Sequence, residues 1–309
     1  MASNSSLSVR RINSQVIFVQ VLVSCFLFIN IFLITTFLMK EYFYTTMRYI
    51  LFATTLLSDC LFLLLTNILL ICSYFGIFMQ MWLCIILYLA FSLCTFVTPL
   101  TLTAMTLERY VAICMPLRHA ELCSTHKTLH WIYVIHGLGF VPGFVILSIF
   151  FALASHSHFT QRGLCIVQAF ILQTWQGHLR SAISQFYFLV MCILIVFSYT
   201  EIMKVAKAAS GENKKSTNKG LRTVILHACQ LLLCLIQFWC PFIEAAVLQI
   251  NILLFINIRY FNYVTFYLSP RCLSPVIYGL RDEMFFRALK YNALCGFELK
   301  FICEAHLKR

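Results

Sequence analysis

The run Thr106-Leu107-Glu108-Arg109-Tyr110-Val111-Ala112-Ile113-Cys114 sets a carboxylate and a guanidinium side by side at the end of an apolar stretch. Where a membrane helix meets water, such a pair is costly to bury and easy to switch. Arg109 also has a plainer reading, a side chain that snorkels to the interface. Asp59 and Arg271 lie deeper inside apolar runs, where an ionisable side chain marks a functional position and is expected to face a bundle interior. Glu244 falls in another such run, about one helical turn beyond Pro241. Its readings stay open: it binds a cationic ligand group, pairs with Arg180 or Arg259, or reaches water. His156-Ser157-His158 offers two imidazoles, which do not close a metal site, so a solvated loop is the better reading. No nucleotide-binding loop, metal quartet or nucleophile–base pair stands in the sequence. Neither an enzyme nor a cofactor or metal is expected.

The elements that must carry these residues are apolar. Of 309 residues, 61% are hydrophobic and 11% charged, against about 25% charged in an average soluble domain. Apolar runs span roughly 15–39, 49–73, 82–107, 129–153, 182–206, 221–249 and 253–280. Each is about 20 residues or more, enough for a helix to cross roughly 30 Å of hydrocarbon. No strand-like alternation recurs, so a barrel is not indicated. The reading is an all-α membrane protein, one seven-transmembrane helix bundle over residues 1–309 whose surface meets the lipid bilayer. Residues 208–220 are polar, basic and glycine-flanked, a short inner loop. After the last run, residues 281–293 place apolar positions at helical spacing among basic ones, as in an amphipathic helix lying on the inner surface. Cys295 just beyond is either acylated or unmodified.

Basic residues set the orientation. With the N-terminus outside, Lys40, Arg48, Arg109, Arg118, Lys127, Lys204, Lys207, Lys214, Lys215, Lys219 and Arg222 are cytoplasmic, and few basic residues face outward. That asymmetry accounts for most of the net charge of +12 without nucleic acid as a partner. No cleavable signal peptide is visible, so the first span is expected to act as the insertion signal. Asn4 heads the one N-x-[ST] sequon, a glycan site or an unused match. Most of the 15 cysteines sit in apolar runs as small packing residues. Cys84, at the start of the third run, and Cys165, alone in the loop of roughly 154–181, fall on the outer side. A disulfide between them would pin that loop over the bundle mouth.

Several motifs then line up in one order: Asn30; Leu57-Ser58-Asp59; Cys84; Glu108-Arg109-Tyr110 with Met115-Pro116-Leu117-Arg118-His119; Ser198-Tyr199; Trp239-Cys240-Pro241; and Ser274-Pro275-Val276-Ile277-Tyr278. Over nearly the whole chain this resembles a rhodopsin-like (class A) G-protein-coupled receptor. Arg109-Tyr110-Val111-Ala112-Ile113-Cys114 followed by Pro116-Leu117-Arg118-His119 is similar to the second inner loop of odorant receptors. Pro270-Arg271-Cys272-Leu273-Ser274-Pro275-Val276-Ile277-Tyr278 is similar to the fish-type, 131-2-like odorant receptors. The sequence departs from the pattern at His136, Met191 and Ser274, where tryptophan, proline and asparagine are usual.

The resemblance implies roles. Glu108 would hold Arg109 in the inactive state; once released, Arg109 would meet a G-protein helix, supported by Tyr110, Tyr199, Pro275 and Tyr278. Pro241 would kink the sixth helix, and Trp239 would face the bundle as a toggle. Asp59, which commonly helps hold sodium in such receptors, would pair with Arg271 as a tethered cation; the alternative is Arg271 bonded to backbone carbonyls alone. The ligand pocket would be lined by Phe91, Ser92, Thr95, Tyr187, Phe242, Glu244, Tyr260, Val264 and Tyr267. Phe91 stands where amine receptors carry aspartate, and no seventh-helix lysine awaits retinal, which argues against amine receptors and opsins. The implied ligand is a small-molecule odorant, and the implied partner is the heterotrimeric G protein of the stimulatory olfactory type, met by Arg109, Arg118, Lys204, Lys207, Lys219 and Arg222. The implied location is the plasma membrane of sensory neuron cilia. A class A receptor for a lipid or peptide is the first alternative. A small-molecule transporter is the second, although the internal symmetry and broken helices of that class are not read here.

Overall fold

The computed structural model describes residues 2–39, 41–155, 159, 161–209, 228–273 and 284–292. Helices α1 (Ala2–Leu38), α2 (Met47–Tyr74), α3 (Met81–Cys114), α4 (Thr125–Leu153) and α5 (Thr174–Ala209) are continuous. Helix α6 spans Ala228–Leu248 and is broken by a turn at residues 237–239. Among the described residues these six are long and apolar enough to cross a membrane. Helix α7 starts as Ile252–Asn262, widens to a π-helix over Tyr263–Leu268 and is helical again over 269–273. It completes a seven-helix bundle, with a final helix α8 at 284–292.

Helix α3 is the central post, packed against α2, α4 and α5. Two glycines permit its close approach to α4. A Cβ on Gly139 would come within 2.9 Å of Val97 Cγ2, and one on Gly143 within 2.8 Å of Ser92 Oγ. Without a strong hydrophobic drive between helices in lipid, such small-residue contacts set the spacing. Buried threonines are neutralised within their own helices: Thr55, Thr66, Thr101, Thr103, Thr106 and Thr128 each donate to the carbonyl four residues earlier. Helix α2 ends in a Schellman motif, with Gly76 at φ 61° and Ile77 N donating to Cys72 O at 2.8 Å.

The outer loop is fixed at two points. Cys84 and Cys165 form a disulfide with their Cα atoms 5.4 Å apart. Two short antiparallel strands, β1 (Met79–Gln80) and β2 (Arg162–Gly163), pair beside it. Helix α5 opens at Thr174, ahead of the apolar run read from residue 182, because Gln176 Oε1 accepts from the N–H groups of Leu172 and Gln173. At the inner end, Phe285 of α8 is buried edge-on against Phe43 and Phe52, and Asn292 Nδ2 donates to Thr36 Oγ1 of α1 at 2.8 Å. Met284, Phe286 and Tyr291 remain exposed on the opposite side, an amphipathic helix docked by one face.

Candidate functional site

Asp59 of α2 and Arg271 of α7 are both fully buried. The structure brings them together, with Arg271 Nε 3.5 Å from Asp59 Oδ1. Arg271 Nη1 donates to Tyr267 O at 2.7 Å and to Gln237 Oε1 at 3.4 Å. Its guanidinium carbon lies 3.5 Å over the centroid of the Phe62 ring. Asp59 Oδ1 also accepts from Thr98 Oγ1 at 2.8 Å. The Phe62 face and the Tyr267 and Gln237 oxygens offset part of the cost of burying this pair, while among the described residues Arg271 Nη2 has no hydrogen-bond partner. The centre joins α2, α3, α6 and α7.

Directly outward lies a cavity of about 40 Å³, room for roughly three waters at 10–15 Å³ each. Of the expected pocket residues, Phe91, Ser92, Thr95 and Tyr267 line it, joined by Arg180, Gln237 and Phe238, which the sequence reading did not select. The other five stand elsewhere. Tyr187 donates to Leu138 O at 2.7 Å. Phe242 packs by Trp239. Glu244 accepts from Asn262 Nδ2 at 3.3 Å, which is neither of the arginines considered for it. Tyr260 and Val264 pack in a cluster with Val19, Val23 and Leu63 of α1 and α2. Val264 lies within the π-helix, which widens the turn and shifts the phase of the helix faces.

The turn in α6 produces a further correction. Phe238 N, Trp239 N and Cys240 N each donate to the carbonyl three residues back, a tightened stretch next to Pro241, which has no N–H to give. This turns Gln237 and Phe238 inward. Trp239 does not face the bundle; it is 46% exposed and meets Phe188 of α5 edge-on, while Phe238 is 3% exposed. Phe238 packs on Phe96 of α3 with ring centroids 5.0 Å apart. Gln237 Nε2 donates to Thr95 O at 3.1 Å, so one amide ties the kink to both α3 and Arg271.

At the cytoplasmic end, Glu108 is buried and its Oε1 lies 3.3 Å from His119 Nε2. His119 sits on the short helix Pro116–Leu122 of the second inner loop. Arg109 and Tyr110 are half-buried, and Tyr110 packs on Phe197 of α5 with centroids 5.5 Å apart. The Tyr199 side chain lies close to that of Thr106 and within reach of the Arg109 charge. Burial, and next the Glu108 charge, pushes the Cys123 thiol up from its ordinary value. Pro275, Tyr278, His156 and His158 lie outside the described residues, as does the Asn4 side chain. Among the described residues no group of three or more His, Cys, Asp or Glu side chains is placed to hold a metal.

The signature of the 7 transmembrane receptor (rhodopsin family) matches residues 29–278. The chain belongs to that family. It is 40% identical to Odorant receptor 131-2 of Danio rerio over 308 residues, 98% of this chain and 94% of the relative. It is 26% identical to human Olfactory receptor 51B5 over 61% of each chain, and 23% identical to Galanin receptor 2b of Danio rerio over 75% of this chain and 61% of the relative. The protein is therefore a class A, odorant-type G-protein-coupled receptor. It is a multi-pass plasma-membrane protein that couples a small-molecule ligand to a G protein, and it is not an enzyme.

Proposed function

We propose that this receptor senses an odorant. A small organic molecule reaches the cavity from outside and triggers nucleotide exchange on a cytoplasmic G protein of the stimulatory olfactory type. The proposed setting is the cilia of sensory neurons, with the N-terminus extracellular and the one domain spanning residues 1–309. The observation that carries the mechanism is Gln237, which lines the cavity and also touches Arg271 at the kink of α6. A ligand that displaces Gln237 disturbs the Asp59–Arg271 centre and α6, whose ladder is interrupted at Pro241 and at the turn before it.

The signal then passes along α3 to Glu108, Arg109 and Tyr110. Separation of Glu108 from His119 frees the inner end of α3, and Arg109 meets backbone carbonyls of the G protein with Tyr199, Pro275 and Tyr278 in support. The 40% identity to an odorant receptor over 98% of the chain favours this reading over a peptide or lipid receptor.

The test is cyclic AMP in cells co-expressing the receptor with an olfactory-type G protein, beside Arg109→Ala, against pooled amino acids, amines, acids and odorants. A ligand-dependent rise lost in the variant is expected. Signalling that survives Arg109→Ala at equal surface expression overturns the assigned switch.

A further inference from the structure

We infer that the cavity takes a small organic anion, a monocarboxylate, with Arg180 as the residue that holds its head group. This rests on the odorant-receptor reading above and names the ligand class for the same cavity.

Arg180 belongs to α5 and lines the cavity, half-buried. Among the described residues no carboxylate lies within 4.0 Å of it, and its guanidinium makes no hydrogen bond; its backbone carbonyl alone is engaged, by Ser184 Oγ at 3.1 Å. The other charges nearby are already committed. Arg271 is held by Asp59 beneath the cavity, and Glu244 is held by Asn262 outside the lining. Arg180 is thus the one charged side chain among the lining residues.

A half-buried guanidinium without an acidic partner stabilises an incoming carboxylate through two parallel charge-assisted hydrogen bonds. Tyr88, across the lining, is close enough to feel the Arg180 charge, and among the described residues its hydroxyl has no hydrogen-bond partner. It supplies a second donor to the same head group. The apolar remainder of the ligand meets Phe91, Phe96, Ile146 and Phe238. An ammonium group would be repelled by Arg180 and would find no carboxylate in the lining, while an alcohol would leave the guanidinium without a counter-charge. The small volume favours a short chain, and a single ring requires lining side chains to move aside.

The test uses matched sets on one skeleton: sodium butyrate, 1-butanol and 1-butylamine; sodium benzoate, benzyl alcohol and benzylamine. Cyclic AMP is read in cells carrying wild type, Arg180→Gln or Arg180→Lys at matched surface expression. The thermal midpoint of the purified full-length receptor is read with each compound. The acids are expected to signal and to raise the midpoint ahead of the alcohols and amines. Arg180→Gln should raise the half-maximal acid concentration at least about tenfold, as loss of a hydrogen bond to a charged group does, and Arg180→Lys should recover part of the loss.

Alcohols or amines acting as well as acids, acid responses untouched by Arg180→Gln, or acids that neither signal with nor stabilise the wild type would each overturn the anion assignment. Basal cyclic AMP in wild type against Arg109→Ala separates the two readings. If basal coupling is present and acids fail, only the anion assignment falls. If no compound of any charge acts and basal coupling is also absent, the receptor reading falls with it.

Discussion

Arg271 and Asp59 meet at 3.5 Å between α7 and α2, each side chain fully buried. Breaking such a pair from one side strands a charge, at a cost of about 3–5 kcal/mol. Asp59→Asn and Arg271→Gln should each lower the thermal midpoint and surface expression. The double variant Asp59→Asn/Arg271→Gln should recover a large part of the loss, since neutral amides keep the shape without the stranded charge. Strictly additive losses in this cycle, or Asp59→Asn leaving stability and basal activity unchanged while Arg271→Ala abolishes expression, would mean the two are not coupled.

Phe238, rather than Trp239, is the aromatic that couples α6 to α3. Phe238→Ala removes a buried ring from contact with Phe96, and a loss of about 3–5 kcal/mol is expected, with weakened ligand response. Trp239→Leu alters a half-exposed side chain, and its effect should stay within about 1 kcal/mol. Thermal midpoints and concentration–response curves for the two variants decide the matter; Trp239→Leu as the more damaging change would restore the toggle to Trp239.

Why that exchange was illegible in the sequence is a matter of helix phase. Long apolar runs and outward cysteines are local signals, and the helices and the Cys84–Cys165 disulfide follow from them. Which face a residue presents depends on every turn before it. The tightened turn at Gln237–Trp239 and the π-helix at Tyr263–Leu268 each shift that phase, so Trp239 and Val264 leave the positions that regular helices would give them. Gln237 and Thr98 were passed over for another reason. Uncharged polar residues in a membrane run cost less than charges and so signal less, and these two matter through the charges they reach. Arg180 stood in plain view as an outer arginine, but its place in the cavity depends on how α5 packs.

The disulfide closes a separation of 81 residues, for which the chain-entropy account gives about 4.5 kcal/mol of stabilisation. Cys84→Ser or Cys165→Ser should therefore lower the thermal midpoint, and mild reduction of the wild type should do the same. Because β1–β2 pairing holds the loop beside the bridge, the loss should fall on ligand response more than on basal coupling. Equal midpoints for wild type and Cys165→Ser would show that the strands alone hold the loop.

The inner loop reports on Glu108 through Cys123. The thiol is pushed above its ordinary value of 9.0 first by burial and then by the negative charge of Glu108. A raised value keeps the sulfur protonated at neutral pH, so alkylation is slow there and accelerates only as pH climbs past the usual thiol range. Removing the charge by Glu108→Gln takes away the second cause, moves the value down and should speed labelling of Cys123 near pH 8. The same substitution removes the charge from the contact with His119 while keeping an acceptor there, and basal G-protein activation should rise by at most about two- to tenfold, the ceiling set by a hydrogen bond contributing roughly 0.5–1.5 kcal/mol. His119→Ala should raise basal activity as well, but it should leave the cause acting on Cys123 in place. Labelling with a neutral maleimide in a background lacking the other accessible cysteines measures the first effect, and cyclic AMP without ligand measures the second. If Glu108→Gln raised neither, Glu108 would be a packing residue of the inner loop rather than part of its switch.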